Sequence, residues 1–420
     1  MANIQPRKDK SGKIISYSIR VYKGRDTYGK QLKPYSMTWV VPEDWSERKI
    51  QAELHRQSIL FEKQCKEGIV TDNKQTFEKY ARYVIDLKER TGIKHRTIAG
   101  YRALLPRINP AVGHIKLCDL RPQHFNAFYE QISKDGMNLK TGGKLSSKTI
   151  LEYHSFIRAV LSQAEKEMLV LYNAASKATP PKVMHKEANF LEMEDIENIL
   201  FYLSNEPLKW QVAVQLLIFT GCRRGEIMGL KWDKIDFKNC TLRIETNLLY
   251  TQEKGVFEDT TKTETSKRTI KIPQATMNLI KEHKKETNER RLLLGSYWHD
   301  SGFIFTQDKG KPMHPDSLTD YCVQFRKKYN KKIQEENKEN KTNLKLLPRM
   351  NPHAFRHSQA SLLFFNGADA ITISKRLGHA KVSTTTDIYS HIMKKADETA
   401  SETLANLFLN KADEKVKVEL

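Results

Sequence analysis

Five residues in the second half of the chain have the types and spacing that a reaction at a phosphodiester needs: Arg223, His353, Arg356, His379 and Tyr389. A planar guanidinium donates two hydrogen bonds to non-bridging oxygens and stays charged at any workable pH. A phenol has an unperturbed pKa of about 10, so a cluster of cations is needed to favour its ionised, nucleophilic form. The set therefore predicts that Tyr389 attacks a phosphate whose charge Arg223 and Arg356 stabilise.

The local sequence indicates how Arg223 is held. Gly221 is expected to end a helix over 212–219, so that Arg223 opens the next helix near its positive end. Glu226, three residues on, shares a helix face with Arg223 and would orient it or organise nearby groups. The alternative is a surface ion pair worth about 0–1 kcal/mol.

The second arginine comes with a histidine on the same helical turn. His353 and Arg356 are spaced i, i+3, and Pro352 fits a helix start, so both side chains can point into one pocket. A rival interpretation pairs His353 with His357 as zinc ligands at i, i+4. The sequence offers no convincing carboxylate or cysteine as a third ligand.

The order of these motifs resembles that of the tyrosine recombinase family, also called the phage-type integrases. The motifs are Thr-Gly-Cys-Arg-Arg-Gly-Glu (220–226), Asn-Pro-His-Ala-Phe-Arg-His (351–357), Leu-Gly-His (377–379) and Thr-Thr-Asp-Ile-Tyr-Ser-His (385–391). The resemblance implies that Tyr389 is the nucleophile and forms a 3′-phosphotyrosyl link. It also implies that His353 assists proton transfer, that His379 supports the phosphate and that His357 is structural.

The resemblance further implies a general acid for the leaving 5′ oxygen. The stretch Lys-Thr-Glu-Thr-Ser-Lys-Arg-Thr-Ile (262–270) is similar to the family's β-hairpin, in which a lysine is catalytic, and Lys262 is the candidate. Lys254 and Lys267 are the alternatives. Neither ATP, a metal nor any other cofactor is expected, because the energy of the broken bond is kept in the covalent intermediate and the arginines do the work of a metal.

The net charge of +21 is the strongest compositional signal. A polyanion with one charge per about 1.7 Å rewards a large basic surface, so we expect double-stranded DNA as the partner. A membrane-surface binder or a merely soluble basic protein would also be basic. The hydrophobic fraction of 39%, a mean hydropathy of −0.62 and the absence of a long apolar run indicate a soluble protein that stays in the cytoplasm.

The chain is predicted to be mainly α with small β elements (α+β), in several parts. Strands are expected at 16–22 and 35–41 and a helix at 45–65, and this segment is similar to a three-stranded arm-type DNA-binding domain. The expected divisions are 1–72 (arm-type domain), 75–173 (helical core-binding domain), 174–188 (linker), 189–398 (mixed α/β catalytic domain) and 399–420 (tail). The expected arm-domain DNA contacts are Lys8, Lys10, Arg20, Lys23, Arg25 and Lys30.

Three smaller features complete the sequence expectations. In the helical part, two interpretations remain for four residues, which either contact DNA or are solvated side chains: Arg96, Arg102, Lys148 and His154. The tail segment 400–409 is expected to dock on a neighbouring protomer or on its own domain. The five cysteines are scattered, and Cys222 is interpreted as a packing residue.

Taken together, the resemblance implies a site-specific recombinase that integrates and excises a prophage or conjugative transposon. Its expected partners are attachment sites with core and arm sequences, three further copies of the chain in a homotetramer on DNA, an excisionase and a DNA-bending host protein. The alternatives are a type IB topoisomerase, which uses the same chemistry to relax DNA without joining two sites, a metal-dependent nuclease, and a non-catalytic DNA-binding protein that has kept the fold.

Overall fold

The computed structural model describes residues 2–9, 12–25, 27–42, 44–66, 75–184, 190–260, 267–379 and 382. The chain divides into two compact units, Met1–His185 and Lys186–Leu420. Helices dominate and the sheets are small, as the sequence predicts. None of the helices in the described ranges is long and apolar enough to span a membrane.

The first unit begins with a three-stranded antiparallel meander and one helix. The elements are β1 (Asn3–Lys8), β2 (Ile14–Val21), β3 (Tyr35–Val40) and α1 (Glu47–Lys66). Strand alternation directs Tyr17, Ile19 and Val21 of β2 into a small core with Leu54 and Phe61 of α1. The strands and the helix that the sequence predicts are therefore present, and the opposite sheet face is left for polar side chains.

A helical bundle follows in the same unit. Its helices are α2 (Phe77–Arg90), α3 (His95–Ile108), α4 (Pro122–Ile132) and α5 (Ser147–Lys166). Pro122 stands at the first position of α4, where its missing N–H costs nothing, and the Ser146 hydroxyl caps α5 by accepting the Thr149 N–H at 3.1 Å. Both starts were predicted, whereas α5 ends at Lys166 and not at the expected residue 169.

The bundle core extends beyond its last helix. Large aromatic side chains such as Phe125 and Phe156 are fully buried there, each stabilising the fold by about 1.5–3 kcal/mol. Ala174, Ala175 and Ala178, in a short 3-10 turn and just after it, are buried in the same core. The first residues of the expected linker thus pack as part of the bundle.

The second unit is built around one largely buried helix. Its first helices are α6 (Met193–Leu203), α7 (Leu208–Thr220) and α8 (Arg224–Met228). Helix α7 is apolar on most sides, and most of its residues over 212–220 are buried, whereas its first turn (208–211) is partly exposed. This placement fixes the C-terminal end of α7 in the middle of the unit, where the candidate site lies.

Two small sheets lie between α8 and the later helices. The strands are β4 (Ile235–Asp236), β5 (Thr241–Ile244), β6 (Thr246–Thr251), β7 (Gly255–Thr260) and β8 (Arg268–Lys271). One sheet has the order β4-β5-β8 and the other is the β6-β7 hairpin, all antiparallel. Helix α8 packs closely on β6, since a Cβ on Gly225 would lie 2.8 Å from the Leu248 carbonyl oxygen.

Within the described ranges, four further helices of the second unit follow: α9 (Gln274–Leu294), α10 (Ser317–Asn340), α11 (Pro352–Phe365) and α12 (Ala370–Leu377). The Asn351 side chain caps α11 by accepting the N–H groups of His353 and Ala354, both at 3.0 Å. Pro352 occupies the first helical position, as predicted. Helix α11 packs against α7, and this contact brings the two arginine motifs together.

Candidate active site

The site is organised around the C-terminal end of α7. Gly221 ends that helix in the left-handed conformation, with φ 58° and ψ 20°. A Cβ at this position would lie 2.2 Å from Gln359 Oε1 and 2.6 Å from Leu377 Cδ2. Only glycine therefore allows α11 and α12 to approach the end of α7 this closely.

Arg223 is the N-cap residue of α8, as the sequence predicts. Its Nη1 donates to Glu226 Oε1 at 2.8 Å, its Nη2 donates to the Gly378 carbonyl at 3.1 Å, and its backbone N–H donates to Glu226 Oε2 at 2.9 Å. The side chain is 40% exposed. The guanidinium is thus fixed by two partners while part of it faces solvent.

Glu226 is a buried member of an ion network. Its side chain is 3% exposed, and Arg268 Nη2 donates to its Oε2 at 2.7 Å. Burial alone would raise the pKa of this carboxyl, but the charges of Arg268 and Arg223 outweigh it and lower the pKa to about 2. The alternative of an exposed surface pair is therefore wrong, because the carboxylate is enclosed.

Arg268 is a site residue to which the sequence analysis assigned no role. Its side chain is 7% exposed, and besides Glu226 it donates from Nε to the Arg376 carbonyl at 2.8 Å and from Nη2 to Cys222 Sγ at 3.1 Å. The available signal was strand alternation, because Arg268 shares a face of β8 with buried Ile270. A charged residue on an inward-facing register needs a buried partner.

Arg356 is more deeply enclosed than Arg223. It is 4% exposed, and it donates from Nη1 to the Gly221 carbonyl at 2.8 Å and from Nη2 to the Leu377 carbonyl at 2.7 Å. Burial, followed by the nearby charge of Arg223, lowers the pKa of Arg356 to about 10. The guanidinium therefore remains charged at neutral pH and ties the end of α7 to the end of α12.

The ends of α7 and α12 present several carbonyls to cations. Gln359 and Arg376 both donate to the Phe219 carbonyl, and Arg356 takes the Gly221 carbonyl. Carbonyls at a helix C-terminus carry partial negative charge that favours cationic donors. This explains why guanidiniums accumulate here although like charges repel each other.

The histidines lie beside these arginines. The rings of His353 and His357 have centroids 6.5 Å apart on successive turns of α11. His379 directly follows Gly378, and desolvation together with the charges of Arg356 and Arg223 lowers its pKa to about 4. The pKa of His353 is lowered by the same kinds of cause, so both rings are neutral at pH 7 in the DNA-free protein.

The predicted site residues thus divide into two groups. Arg223, Glu226, His353, Arg356 and His379 surround the adjoining ends of α7 and α12. Lys262, Tyr389 and the tail lie outside the described residues. Of the alternatives to Lys262, both Lys254 and Lys267 are exposed.

The cysteine and metal interpretations also have structural outcomes. Cys222 is fully buried, which raises the pKa of its thiol and fits the predicted packing role. Within the described ranges, no three histidine, cysteine, aspartate or glutamate side chains come together as a metal site, so the His353–His357 pair has no third ligand there.

The expected DNA contacts of the first unit are mostly surface side chains. Lys8, Arg20, Arg25 and Lys30 are exposed, Lys23 lies 4.0 Å from the ring centroid of Tyr35, and Lys10 lies outside the described residues. Arg20 stands on the sheet face opposite α1, with Asn3 and Ser36 as its register partners.

The four residues left open in the helical bundle do not behave alike. Arg96 and Lys148 are exposed, and Arg102 pairs with Glu89 at 2.6 Å. His154, in contrast, is 8% exposed and its Nδ1 lies 2.9 Å from the Tyr129 hydroxyl. It is therefore a buried structural histidine and neither a solvated side chain nor a surface contact.

Comparison with known proteins gives a consistent result. A family model described as the phage integrase family matches residues 189–396. The chain is 32% identical over 305 residues to a XerC-like tyrosine recombinase of Caldanaerobacter subterraneus subsp. tengcongensis, covering 68% of this chain and 70% of that protein. It is 27% identical over 270 residues to the ICEBs1 integrase of Bacillus subtilis, covering 64% of this chain and 68% of the relative.

A solved structure has the same fold. It is the integrase of transposon Tn1549 in complex with a circular intermediate DNA, with a TM-score of 0.62 and 21% sequence identity. The match covers 79% of this chain and 100% of the solved chain.

Proposed function

Because the chain belongs to the phage integrase family and is a tyrosine recombinase, an enzyme that breaks and rejoins DNA strands, we propose that Tyr389 is its nucleophile. The phenol oxygen attacks the scissile phosphorus, the bond to the 5′ oxygen breaks, and a 3′-phosphotyrosyl link forms. The released 5′ hydroxyl takes up one proton. Attack by that hydroxyl, or by one from a partner duplex, reverses the step without any external energy source.

The observation that carries this proposal is the fixed pair of guanidiniums at the joined ends of α7 and α12. Arg356 is held by the Gly221 and Leu377 carbonyls, and Arg223 is held by Glu226 and the Gly378 carbonyl. Donors that are already oriented need no reorganisation when charge develops on the non-bridging oxygens. The site therefore suits a phosphoryl transfer in which the protein supplies charge in place of a metal.

The proton carriers are assigned by their chemistry. His353 and His379 have lowered pKa values, so each ring is neutral before DNA binds and can accept the phenol proton or donate a hydrogen bond to the phosphate. Lys262 is the proposed general acid for the 5′ oxygen. It belongs to the segment between β7 and β8, and Arg268 of the site begins β8.

The mobile-element role follows from the family. This tyrosine recombinase is an integrase of the kind that mobile elements encode, and its partner is double-stranded DNA with core and arm sequences, for which the net charge of +21 is suited. The proposal includes a homotetramer on two duplexes, an excisionase, a DNA-bending host protein and action in the bacterial cytoplasm. Residues 1–72 are the proposed arm-binding part, with Arg20 on the outer face of the sheet.

The test is a covalent trap. A nicked suicide duplex carrying the core sequence from the ends of the host element is incubated with the full chain in EDTA. We expect a denaturation-resistant protein–DNA species with wild type and none with Tyr389→Phe. Tyr321→Phe is the matched control, because the Tyr321 hydroxyl donates to Glu206 and its ring stacks on Trp210, away from the site.

Three results would contradict the proposal. Strand cleavage that leaves no protein-linked product and stops in EDTA would indicate a metal-dependent nuclease. An adduct that persists in Tyr389→Phe would place the nucleophile elsewhere. An adduct with plasmid relaxation but no exchange between two core-bearing duplexes would indicate the type IB topoisomerase.

A further inference from the structure

The two groups that accept hydrogen bonds from the Arg223 guanidinium both contact one buried side chain, Arg268. The Glu226 carboxylate accepts a hydrogen bond from Arg223 at Oε1 and one from Arg268 at Oε2. Gly378, whose carbonyl accepts from Arg223 Nη2, lies against the same guanidinium, since a Cβ on Gly378 would lie 2.8 Å from Arg268 Nη1. Arg268 thus contacts the carboxylate and the turn that together orient Arg223.

We propose that Arg268 is a positioning residue for catalysis, which fixes the orientation of Arg223 from behind through Glu226 and the Gly378 turn. This inference rests on the proposed function and names a residue that acts on the reaction without touching the phosphate. The side chain is 7% exposed, whereas that of Arg223 is 40% exposed. The two arginines on Glu226 therefore differ in access, and Arg223 is the one that faces solvent.

The geometry explains why an arginine is needed at this place. Its Nε donates to the Arg376 carbonyl while its Nη2 donates to Glu226 and Cys222, so one planar group connects α12, α8 and the end of α7. A lysine ammonium is a single point charge and does not reach the Arg376 carbonyl and Glu226 in one fixed plane. The guanidinium of Arg268 therefore sets the distance between the Glu226 carboxylate and the Gly378 turn.

The charge of Arg268 has a separate consequence for Glu226. Burial favours the neutral carboxyl, and Arg268 is the largest of the opposing influences that lower the Glu226 pKa. Without that cation the carboxyl would take up a proton at a higher pH and would lose its charge attraction for the Arg223 guanidinium. Removal of Arg268 should therefore change the pH dependence of DNA cleavage as well as its rate.

The test compares Arg268→Met with wild type in single-turnover formation of the Tyr389 adduct, from about pH 5 to about pH 9. We expect the rate at neutral pH to fall about 10–100-fold, the range seen when residues that orient metal ligands are replaced in metalloenzymes. We also expect the acid limb of the Arg268→Met profile to lie at a higher pH than that of wild type, because the Glu226 carboxyl then takes up its proton at a higher pH, with DNA affinity unchanged. The matched control is Arg243→Met on the adjacent strand β5, where the side chain is 63% exposed and pairs with Glu245.

Two further variants separate positioning from folding. In Arg268→Met/Glu226→Gln no carboxyl remains to titrate, so the shift of the acid limb should disappear. In Arg268→Lys the cation is kept, so the acid limb should stay at its wild-type place while the rate falls. Arg268→Lys also keeps the test decisive if Arg268→Met does not fold.

The outcomes distinguish this inference from the proposed function. A wild-type chain that forms no Tyr389-dependent adduct overturns the proposed function. If wild type forms the adduct, and Arg268→Met or Arg268→Lys keeps the wild-type rate constant, Arg268 is not a positioning residue. If Arg268→Met only lowers the yield of active protein, and the acid limb and the rate constant stay as in wild type, Arg268 is again not a positioning residue.

Discussion

The cations of the candidate active site and those of the N-terminal sheet are held in opposite ways. Arg223, Arg268 and Arg356 each have at least two hydrogen-bond acceptors, and the last two are almost fully enclosed. Arg20 and Lys8 lie on exposed strand positions. The first arrangement suits charge that must be in place before a transition state forms, and the second suits counterion release along a DNA backbone.

The two arrangements should differ in how much free energy of unfolding is lost when a charged partner is removed. A buried cation is tolerable only with its partners, so removal of one partner leaves an uncompensated charge. Removal of a surface cation leaves its former partner in contact with water, so the cost in free energy of unfolding is small.

Glu226→Gln is expected to lower the free energy of unfolding by about 3–5 kcal/mol, because it leaves Arg268 buried without its counter-charge. Urea unfolding at neutral pH measures this. The matched control is Glu258→Gln, whose carboxylate is 44% exposed and pairs with Lys231 at 2.8 Å, and it should cost about 0–1 kcal/mol. Equal costs for the two variants would remove the distinction between buried and exposed pairs.

Arg356→Lys is expected to slow formation of the Tyr389 adduct by about 10²–10³-fold, since lysine cannot replace a guanidinium that donates along two directions. It also leaves the Gly221 or the Leu377 carbonyl without its donor. Arg290→Lys, at a half-exposed position on α9, is the control and should keep the wild-type rate. A wild-type rate in Arg356→Lys would show that only the charge matters here.

The same contrast marks what the sequence could and could not predict. Gly221, Pro122 and Ser146 determine local conformation by themselves, so the ends of α7, α4 and α5 nearest to them were predictable. The i, i+3 spacing placed Glu226 beside Arg223 for the same reason. Local rules of this kind act within one helical turn.

Tertiary partners were not predictable in this way. Arg268 meets Glu226 from 42 residues away, and Arg356 meets the Gly221 carbonyl from 135 residues away. No periodicity within one element reports such a pairing. His154 illustrates the same limit, because its burial depends on Tyr129 of another helix. The motifs thus pointed to the described residues that meet at the ends of α7 and α12, but not to the buried network behind them.

The buried network should also be visible in the pH dependence of stability. The Glu226 pKa is lowered from 4.5 to about 2. A depressed carboxyl pKa stabilises the fold above the unfolded value, and this contribution is lost as the pH falls through the folded value. We expect a loss of about 3 kcal/mol between pH 4.5 and pH 2. Urea unfolding over this range measures it, and Glu226→Gln should lack this part of the decline.

The smallest effect is expected at the N-terminal sheet. Arg20→Ala should weaken DNA binding and reduce the slope of log affinity against log salt by about 1, because one phosphate contact is lost. The rate of adduct formation on saturating DNA and the free energy of unfolding should stay unchanged, since Arg20 is exposed. Binding titrations at several salt concentrations measure the slope.

The control for Arg20 uses the opposite side of the same small fold. Arg56 lies on α1, which covers the inner sheet face, and its side chain is 69% exposed and pairs with Glu53. Arg56→Ala removes the same charge, so a general electrostatic effect would change the salt slope equally in both variants. A change confined to Arg20→Ala would assign the DNA contact to the outer face. Equal changes would mean that the first unit attracts DNA by its net charge alone, and that the sheet has no defined binding face.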